Sequence, residues 1–190
     1  MSAINSLMSL PEDLPEPMDD GACAHLLGAT LPSVSILATD GRLVDLSALT
    51  GRTVLFAYPR TGLPGQPPLV DHWNEIPGAR GCTPQTCGFR DLWQEFAQAG
   101  HRVLGLSTQS VAYQQELVQR LALPFPVLSD ADLRLCTALS LPTLQVAGEV
   151  LIRRFALVLE NGRVLKVFYP VFPPDQNAAN VMGWIRTGLM

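Results

Sequence analysis

Positive charge is scarce and scattered in this sequence. Its 190 residues include 13 lysines and arginines against 17 aspartates and glutamates, a formal net charge of −4, and the basic residues form no run. Nucleic acids and anionic membrane surfaces attract clustered positive charge, so neither is an expected partner. The first twenty residues lack the basic start and long apolar stretch of a secretion signal, and no apolar run reaches the length of a membrane span. We therefore expect a cytoplasmic protein.

Common nucleotide and metal motifs are missing as well. The sequence has no GxGxxG, no P-loop, no HExxH and no internal repeat. The three histidines are dispersed at His25, His72 and His101. We expect His101 to cap a strand or lie at its edge rather than bind a ligand. Four residues separate Cys82 from Cys87, unlike the Cys-x-x-Cys of zinc sites, and no histidine stands near them for a cysteine–histidine hydrolase. We expect no metal and no cofactor.

The four cysteines need an explanation other than structural bridging. A chain of 190 residues with 47% hydrophobic residues can form a single core without disulfide or metal staples. Cytoplasmic thiols are kept reduced, so closely spaced cysteines in that compartment point to metal binding or redox chemistry first.

The sixteen prolines indicate how the chain is divided. Pro11, Pro15 and Pro17 stand in an acidic segment that cannot continue a helix, so we interpret residues 1–28 as an arm packed on, or trailing from, a domain at 29–190. A second proline cluster lies within residues 62–80, a long irregular stretch before a helix. Loops of this length in compact domains are usually functional or disordered.

Between these landmarks the apolar periodicity alternates between strand and helix. It predicts a hairpin at 34–46, strands at 53–59, 102–108 and 125–130, helices at 82–100, 111–123 and 131–141, a hairpin formed by 149–160 and 163–171, and a last helix capped by Asp175 and running through Ile185. This order predicts an α/β fold, a mixed sheet with helices on both faces.

The sharpest local feature is the segment GCTPQTC, residues 81–87, at the start of the 82–100 helix. Pro84 is tolerated only in a first turn, so the helix should begin near Cys82, with Gly81 or Thr83 as its cap. Free backbone N–H groups and the helix dipole stabilise an anion there, which predicts a lowered pKa and a reactive thiolate for Cys82.

The helical wheel separates the two thiols of this segment. Cys82 falls near the apolar stripe, whereas Cys87 lies about 140° around the helix and should face outward. The spacing puts their Cα atoms roughly 8.5 Å apart, beyond the limit of about 7 Å for a disulfide, so bonding would require the helix to unwind locally, which Gly88 eases. The alternative is that cysteines act as small buried hydrophobes. We apply it to Cys23 and Cys136.

The segment GCTPQTCGFRD, following a buried strand that ends in Tyr58-Pro59, resembles the active-site segment of the peroxiredoxins of the PrxQ, or bacterioferritin-comigratory, group. The resemblance covers roughly residues 29–190, with GLSTQS, PFPVLSDAD and RFALV in the expected order. It implies a thioredoxin-like fold with an N-terminal β-hairpin. It also implies a thiol peroxidase acting on hydroperoxides and recycled by thioredoxin or a similar dithiol, as a monomer or homodimer.

The resemblance assigns roles to particular residues. Cys82 would be the peroxidatic thiol and Cys87 the resolving thiol, joined in an intramolecular disulfide. An arginine should stabilise the reacting oxygens, and the match to the family pattern favours Arg154 over Arg153, which strand alternation sends to the opposite face. For Arg90 we expect a surface pair with Asp91 or Gln94.

The sequence also departs from this family. A proline stands seven residues before the peroxidatic cysteine in the family, whereas Pro59 precedes Cys82 by 23, an excess of 16 residues. Ala79 occupies the place of the family threonine, for which Thr61 or a backbone N–H could substitute. Trp73 and Ile76 in the insertion would line a site for a bulkier alkyl or lipid hydroperoxide, or form a lid or subunit contact. A redox-sensing switch without efficient turnover is the alternative function.

Overall fold

Within residues 7–188, nine strands form one large sheet and one small sheet. The computed structural model describes residues 7–188, so the predictions for 1–6 of the arm and for 189–190 fall outside the described residues. Seven strands form a sheet in the order β2-β1-β5-β4-β3-β8-β9, and two form a separate β6-β7 sheet. The strands are β1 (Ser35–Ala38), β2 (Leu43–Asp45), β3 (Arg52–Ala57), β4 (His101–Ser107), β5 (Val127–Ser129), β6 (Thr143–Val146), β7 (Glu149–Ile152), β8 (Phe155–Glu160) and β9 (Arg163–Phe168).

Parallel and antiparallel pairs mix in the large sheet, as predicted. Strand β3 lies inside the sheet between β4 and β8, parallel to β4 and antiparallel to β8, and β4 is parallel to β5. The predicted N-terminal hairpin is confirmed, because β1 pairs with β2 across a turn that contains Asp40 and Gly41. Crossover helices connect the parallel strands, which places the ends of β3 and β4 at the same edge.

Helices cover both faces of the sheet. They are α1 (Cys82–Asp91), α2 (Trp93–Gln98), α3 (Val111–Leu121), α4 (Arg134–Ala138) and α5 (Asn177–Thr187). Side chains of β3 alternate: Val54 and Phe56 pack with α1, α2, α3 and α5, whereas Leu55 and Ala57 pack on the other face with α4. Phe56 stacks on Phe89 of α1 with ring centroids 4.1 Å apart. None of these helices is long and apolar enough to cross a membrane, within the range that the structure describes.

The predicted helix at 82–100 is wrong in one respect, because it is broken in two. Leu92 leaves helical geometry with φ −93° and ψ 5°, so α1 ends at Asp91 and α2 begins at Trp93. Phe89 and Phe96 still face the same core, and their ring centroids stack 5.7 Å apart. The apolar residues keep helical spacing across the break, so their periodicity could not predict it.

The predicted strand 149–160 is also two strands. Residues 149–152 pair with β6 across a turn at Ala147-Gly148, where both residues have positive φ. The chain then bends at Arg153-Arg154 and continues as β8, which forms the predicted Asn161-Gly162 hairpin with β9. The apolar residues on both sides of Arg153-Arg154 indicate a single strand, so the change of sheet at the two arginines was not predicted.

Two helix starts differ from their predictions. The helix expected at 131–141 is only α4, because Leu133 adopts a left-handed conformation and the Asp130 carboxylate caps the helix, accepting from the N–H groups of Leu135 and Cys136. Asp175 does not cap the last helix. It lies in a short 3₁₀ turn that Pro174 starts, and α5 follows that turn.

Candidate active site

The start of α1 is fixed by a residue that must be glycine. Gly81 has φ +99°, in the left-handed region, and forms the N-terminal cap of α1. A Cβ at this position would overlap the ring of Pro174. Pro84 lies in the first turn as predicted, and Cys82 is the first residue of α1. The backbone N–H groups of this first turn have no partner within the helix.

Cys82 lies against an arginine side chain. Its Sγ is 3.3 Å from Nη2 of Arg154, and the thiol donates to the Ala79 carbonyl oxygen at 3.4 Å. Both side chains are buried, with Cys82 3% and Arg154 4% exposed. A guanidinium at this distance can stabilise negative charge on the sulfur or on an oxygen bound to it.

The insertion is tied to the same guanidinium. Nη2 of Arg154 donates to the carbonyl oxygens of Gly78, Ala79 and Arg80 at 3.1, 3.3 and 2.9 Å. Ala79, which stands where the family has threonine, thus contributes its backbone rather than a hydroxyl. The end of the 62–80 segment and Arg154 hold each other in place beside Cys82.

Two residues that the sequence analysis missed complete this network. Gln85 is fully buried, accepts from Nη1 of Arg154, and donates to Oδ1 of Asn177 at 2.9 Å and to the Ala57 carbonyl at 3.4 Å. Buried polar groups require such partners, and these fix the plane of the guanidinium. Gln85 could have been noticed as a polar residue one turn after Cys82. Nothing in the sequence pattern marks Asn177.

Arg153 points away from the thiols. It donates to the Asp20 carboxylate at 2.6 Å, to the Tyr169 hydroxyl oxygen at 3.1 Å and to the Thr143 carbonyl at 3.1 Å. Of the two neighbouring arginines, only Arg154 therefore contacts Cys82; its catalytic role stays a prediction. Arg90 is bonded to Asp91 at 2.8 Å, which confirms the surface pair, and it also donates to the Leu121 carbonyl.

Cys87 does not face solvent, and this prediction was wrong. The N-terminal arm covers it, with Met8 Sδ 3.8 Å from Cys87 Sγ, so the thiol is only 6% exposed. Burial raises the pKa of Cys87, an effect that the nearby Arg90 partly opposes. Helix periodicity could not reveal this contact because the covering residue comes from 79 positions earlier in the chain. Both thiols are free in this structure and α1 is intact between them.

Further contacts keep the arm on the domain. Asp20 accepts from Arg153 and from the Tyr169 hydroxyl, and the Ser9 carbonyl accepts from Arg80 at 3.1 Å. The described part of the arm, from residue 7 onward, is thus packed along the site rather than trailing from it.

Cys82 borders a cleft of about 670 Å³ that the insertion helps to build. Thr61 lines it, but its hydroxyl and its N–H both donate to Oε1 of Gln109, at 3.1 and 2.9 Å. Trp73 also lines the cleft, whereas Ile76 borders a separate cavity next to Arg153. Trp73 and Ile76, which were expected to line one site, therefore line different cavities.

Cys23 and Cys136 pack on the opposite face of the sheet from Cys82 and Cys87. Burial raises the pKa of Cys23 to about 12, and burial together with Asp130 raises the pKa of Cys136 as well. Both are buried among apolar side chains, as predicted for packing residues.

The histidines lie apart from the thiols. His101 begins β4 as predicted and is bonded to the Ala99 carbonyl, and burial lowers its pKa. His25 is bonded to the Leu139 carbonyl. Within residues 7–188, no three histidine, cysteine or acidic side chains are grouped so as to hold a metal ion.

Comparison with known proteins assigns the family. A model of the redoxin family matches residues 26–182. The chain belongs to the redoxin family. A putative peroxiredoxin bcp of Coxiella burnetii is 29% identical over 164 residues, covering 83% of this chain and 96% of that protein. Peroxiredoxin Q of rice (Oryza sativa subsp. japonica) is 28% identical over 82% of this chain, which spans only 64% of the rice protein.

Solved structures share the fold of this chain. Peroxidoxin BcpB of Mycobacterium tuberculosis superposes with a TM-score of 0.67 at 26% identity, covering 85% of this chain and 96% of that one. The bacterioferritin comigratory protein of Xanthomonas campestris, studied for its alkyl peroxide reduction activity, has a TM-score of 0.65 at 21% identity, with 94% and 100% covered. The fold is therefore thioredoxin-like, and the chain is a peroxiredoxin of the PrxQ and bacterioferritin-comigratory group.

Proposed function

We propose that this redoxin reduces hydroperoxides through Cys82, with Cys87 as the resolving thiol and Arg154 as the activating cation. The observation that carries the proposal is the contact between Arg154 Nη2 and Cys82 Sγ at 3.3 Å, at the first residue of α1 and beside an open cleft. A nucleophile, a fixed cation and room for a substrate meet at this point.

In the first step, the Cys82 thiolate attacks the terminal oxygen of the hydroperoxide. A sulfur–oxygen bond forms, the oxygen–oxygen bond breaks, and the leaving oxygen takes a proton to become water or an alcohol. Sulfur is oxidised by two electrons to a sulfenic acid while the peroxide is reduced. Arg154 and the first-turn N–H groups of α1 stabilise the negative charge that develops on the oxygens.

In the second step, Cys87 attacks the sulfenic sulfur, the disulfide forms and water leaves. The intact α1 helix keeps the two cysteines too far apart for this bond, so its first turns must unwind. Cys87 must also leave its contact with Met8. Resolution therefore involves a local opening of both α1 and the arm.

In the third step, an external dithiol of the thioredoxin type reduces the disulfide by thiol exchange and is itself oxidised. We place this cycle in the cytoplasm, in a monomer or homodimer, with residues 1–28 as an arm on a catalytic domain at 29–190. The Xanthomonas campestris relative, studied for alkyl peroxide reduction, supports organic hydroperoxides as substrates beside hydrogen peroxide.

Mass spectrometry after one equivalent of peroxide tests this cycle. We expect a Cys82–Cys87 disulfide in the natural protein and a trapped sulfenic acid on Cys82 in Cys87→Ser, which keeps the volume but removes the second thiol. Cys136→Ser, on the opposite face of the sheet, is the matched control and should form the disulfide normally. A bridge that contains Cys23 or Cys136 would contradict the assignment of Cys87.

A redox switch is the second candidate, favoured by the burial of Cys87 beneath the arm. Slow resolution would make each oxidation a lasting signal rather than part of a cycle. Stopped-flow measurement of peroxide consumption with thioredoxin and its reductase separates the two functions. Many turnovers per chain support the peroxidase, and a single oxidation event without further consumption supports the switch.

A further inference from the structure

The cleft beside Cys82 is far larger than hydrogen peroxide needs. Its volume is about 670 Å³, within the range of roughly 300–1,000 Å³ that is usual for pockets binding drug-sized ligands. A molecule the size of water takes about 30 Å³. Much of the wall is apolar and comes from the insertion, through Leu63, Pro67, Pro68, Leu69 and Trp73. This volume suits a substrate with an organic body rather than hydrogen peroxide alone.

The charged side chains that line the cleft are all positive. Arg60 and Arg80 both line it, and no aspartate or glutamate is among the described residues that do. This contrasts with the whole chain, whose formal net charge is −4. Two guanidinium groups that line a partly apolar cleft, with no carboxylate among the described lining residues, favour an anionic ligand.

Both arginines are held in place by protein contacts. Arg80 is half-buried, its Nη2 donates to the Ser9 carbonyl at 3.1 Å, and its own carbonyl accepts from Arg154. Arg60 lies over the ring of Tyr113, 5.1 Å from its centroid, and its Nη1 donates to Oε2 of Glu149 at 2.7 Å. A guanidinium fixed in this way loses little conformational entropy when it binds a carboxylate.

From these observations we infer that the cleft selects amphipathic hydroperoxides: an apolar body packs on the insertion, an anionic group such as a carboxylate binds Arg60 and Arg80, and the peroxide reaches Cys82. This inference rests on the proposed peroxidase function and names its substrate class. Arg60 and Arg80 are specificity-determining residues in it, distinct from Arg154 at the sulfur. Glu149 competes with the substrate for Arg60.

A matched substrate pair tests the inference. The probes are cumene hydroperoxide with a carboxylate on its ring and the methyl ester of the same compound, with hydrogen peroxide as a third substrate. We expect kcat/KM for the acid to exceed that for the ester by about tenfold at low ionic strength, since a charge-assisted hydrogen bond replaces a neutral contact. Added salt should reduce this ratio.

The acid-to-ester ratio is the readout for each variant, because damage to folding or to Cys82 lowers both rates together. Arg60→Gln and Arg80→Gln should each reduce the ratio severalfold, and Glu149→Gln should increase it by freeing Arg60. Arg42→Gln is the control, since Arg42 is exposed and pairs with Asp40 in the β1–β2 turn. Its ratio should equal that of the natural protein.

Two failures can be told apart. A ratio near one, or a ratio unchanged in both arginine variants, overturns the inference while hydrogen peroxide turnover leaves the peroxidase proposal intact. Absence of turnover with all three substrates overturns the peroxidase proposal itself, and the inference with it.

Discussion

Cys82 and Cys87 belong to one short helix but occupy opposite kinds of environment. Cys82 borders an open cleft and contacts a guanidinium that four carbonyl and amide oxygens hold in position. Cys87 lies beneath Met8 of the arm, and burial raises its pKa. The surroundings of Cys82 suit an anion and a substrate, whereas those of Cys87 keep the thiol protonated and covered.

The difference shows how the fold can separate two steps that need opposite conditions. Attack on a peroxide requires a rigid donor set around Cys82, because electrostatic stabilisation depends on fixed geometry. Resolution requires that the same helix open. A resolving thiol that stays covered until α1 unwinds does not disturb the first step. Because Met8 covers Cys87, the arm must move as well as α1 before the disulfide can form.

The largest expected effect is the loss of turnover in Cys82→Ser. A serine hydroxyl is a far weaker nucleophile at neutral pH, so peroxide consumption should fall by at least about 10³-fold. Cys136→Ser, equally buried but on the other face of the sheet, should retain the natural rate in the same stopped-flow assay. Substantial turnover in Cys82→Ser would assign the chemistry to another thiol.

The next largest effect is expected from Arg154→Gln. Glutamine can replace some hydrogen bonds to the carbonyls of the insertion but carries no charge, so the rate of sulfenic acid formation should fall roughly 10²–10³-fold. Arg153→Gln, which loses only its contacts to Asp20, Tyr169 and Thr143, should cause a much smaller loss. Equal losses in the two variants would remove the distinction between these arginines.

A smaller, several-fold effect is expected from loosening the arm. Met8→Ala removes the sulfur contact over Cys87, so alkylation of Cys87 by a maleimide and formation of the disulfide should both become faster. Met18→Ala changes an 87% exposed methionine of the same arm and serves as the control. Peptide mapping of the alkylated protein gives the rate at each cysteine. Unchanged alkylation of Cys87 would show that the arm does not limit its exposure.

The sequence predicted those parts of the molecule that local patterns encode. The order of strands and helices along the chain predicted the mixed sheet, and Asn161-Gly162 predicted the hairpin between β8 and β9. Pro84 with Gly81 predicted the start of α1. Each of these features depends on residues that are neighbours in the sequence. The bend at Arg153-Arg154 was hidden, since both flanking strands are equally apolar. The burial of Cys87 and the Gln85–Asn177 bond were hidden for another reason: each depends on segments 79 or 92 residues apart, which periodicity cannot relate.

The smallest expected effect concerns stability at high pH. The folded pKa of Cys87 is raised above 9.0, and that of Cys23 is raised to about 12. A thiol whose pKa is higher in the folded than in the unfolded chain makes folding less favourable as pH rises, because the unfolded chain releases its proton first. Its contribution to stability is complete below the unfolded pKa near 9 and is lost as pH rises through the folded pKa. Denaturant unfolding of the reduced protein between pH 8 and pH 11 should show a falling free energy of unfolding. Cys23→Ala should flatten this slope more than Cys87→Ala does, and identical slopes in all three proteins would mean that neither thiol is kept protonated by the fold.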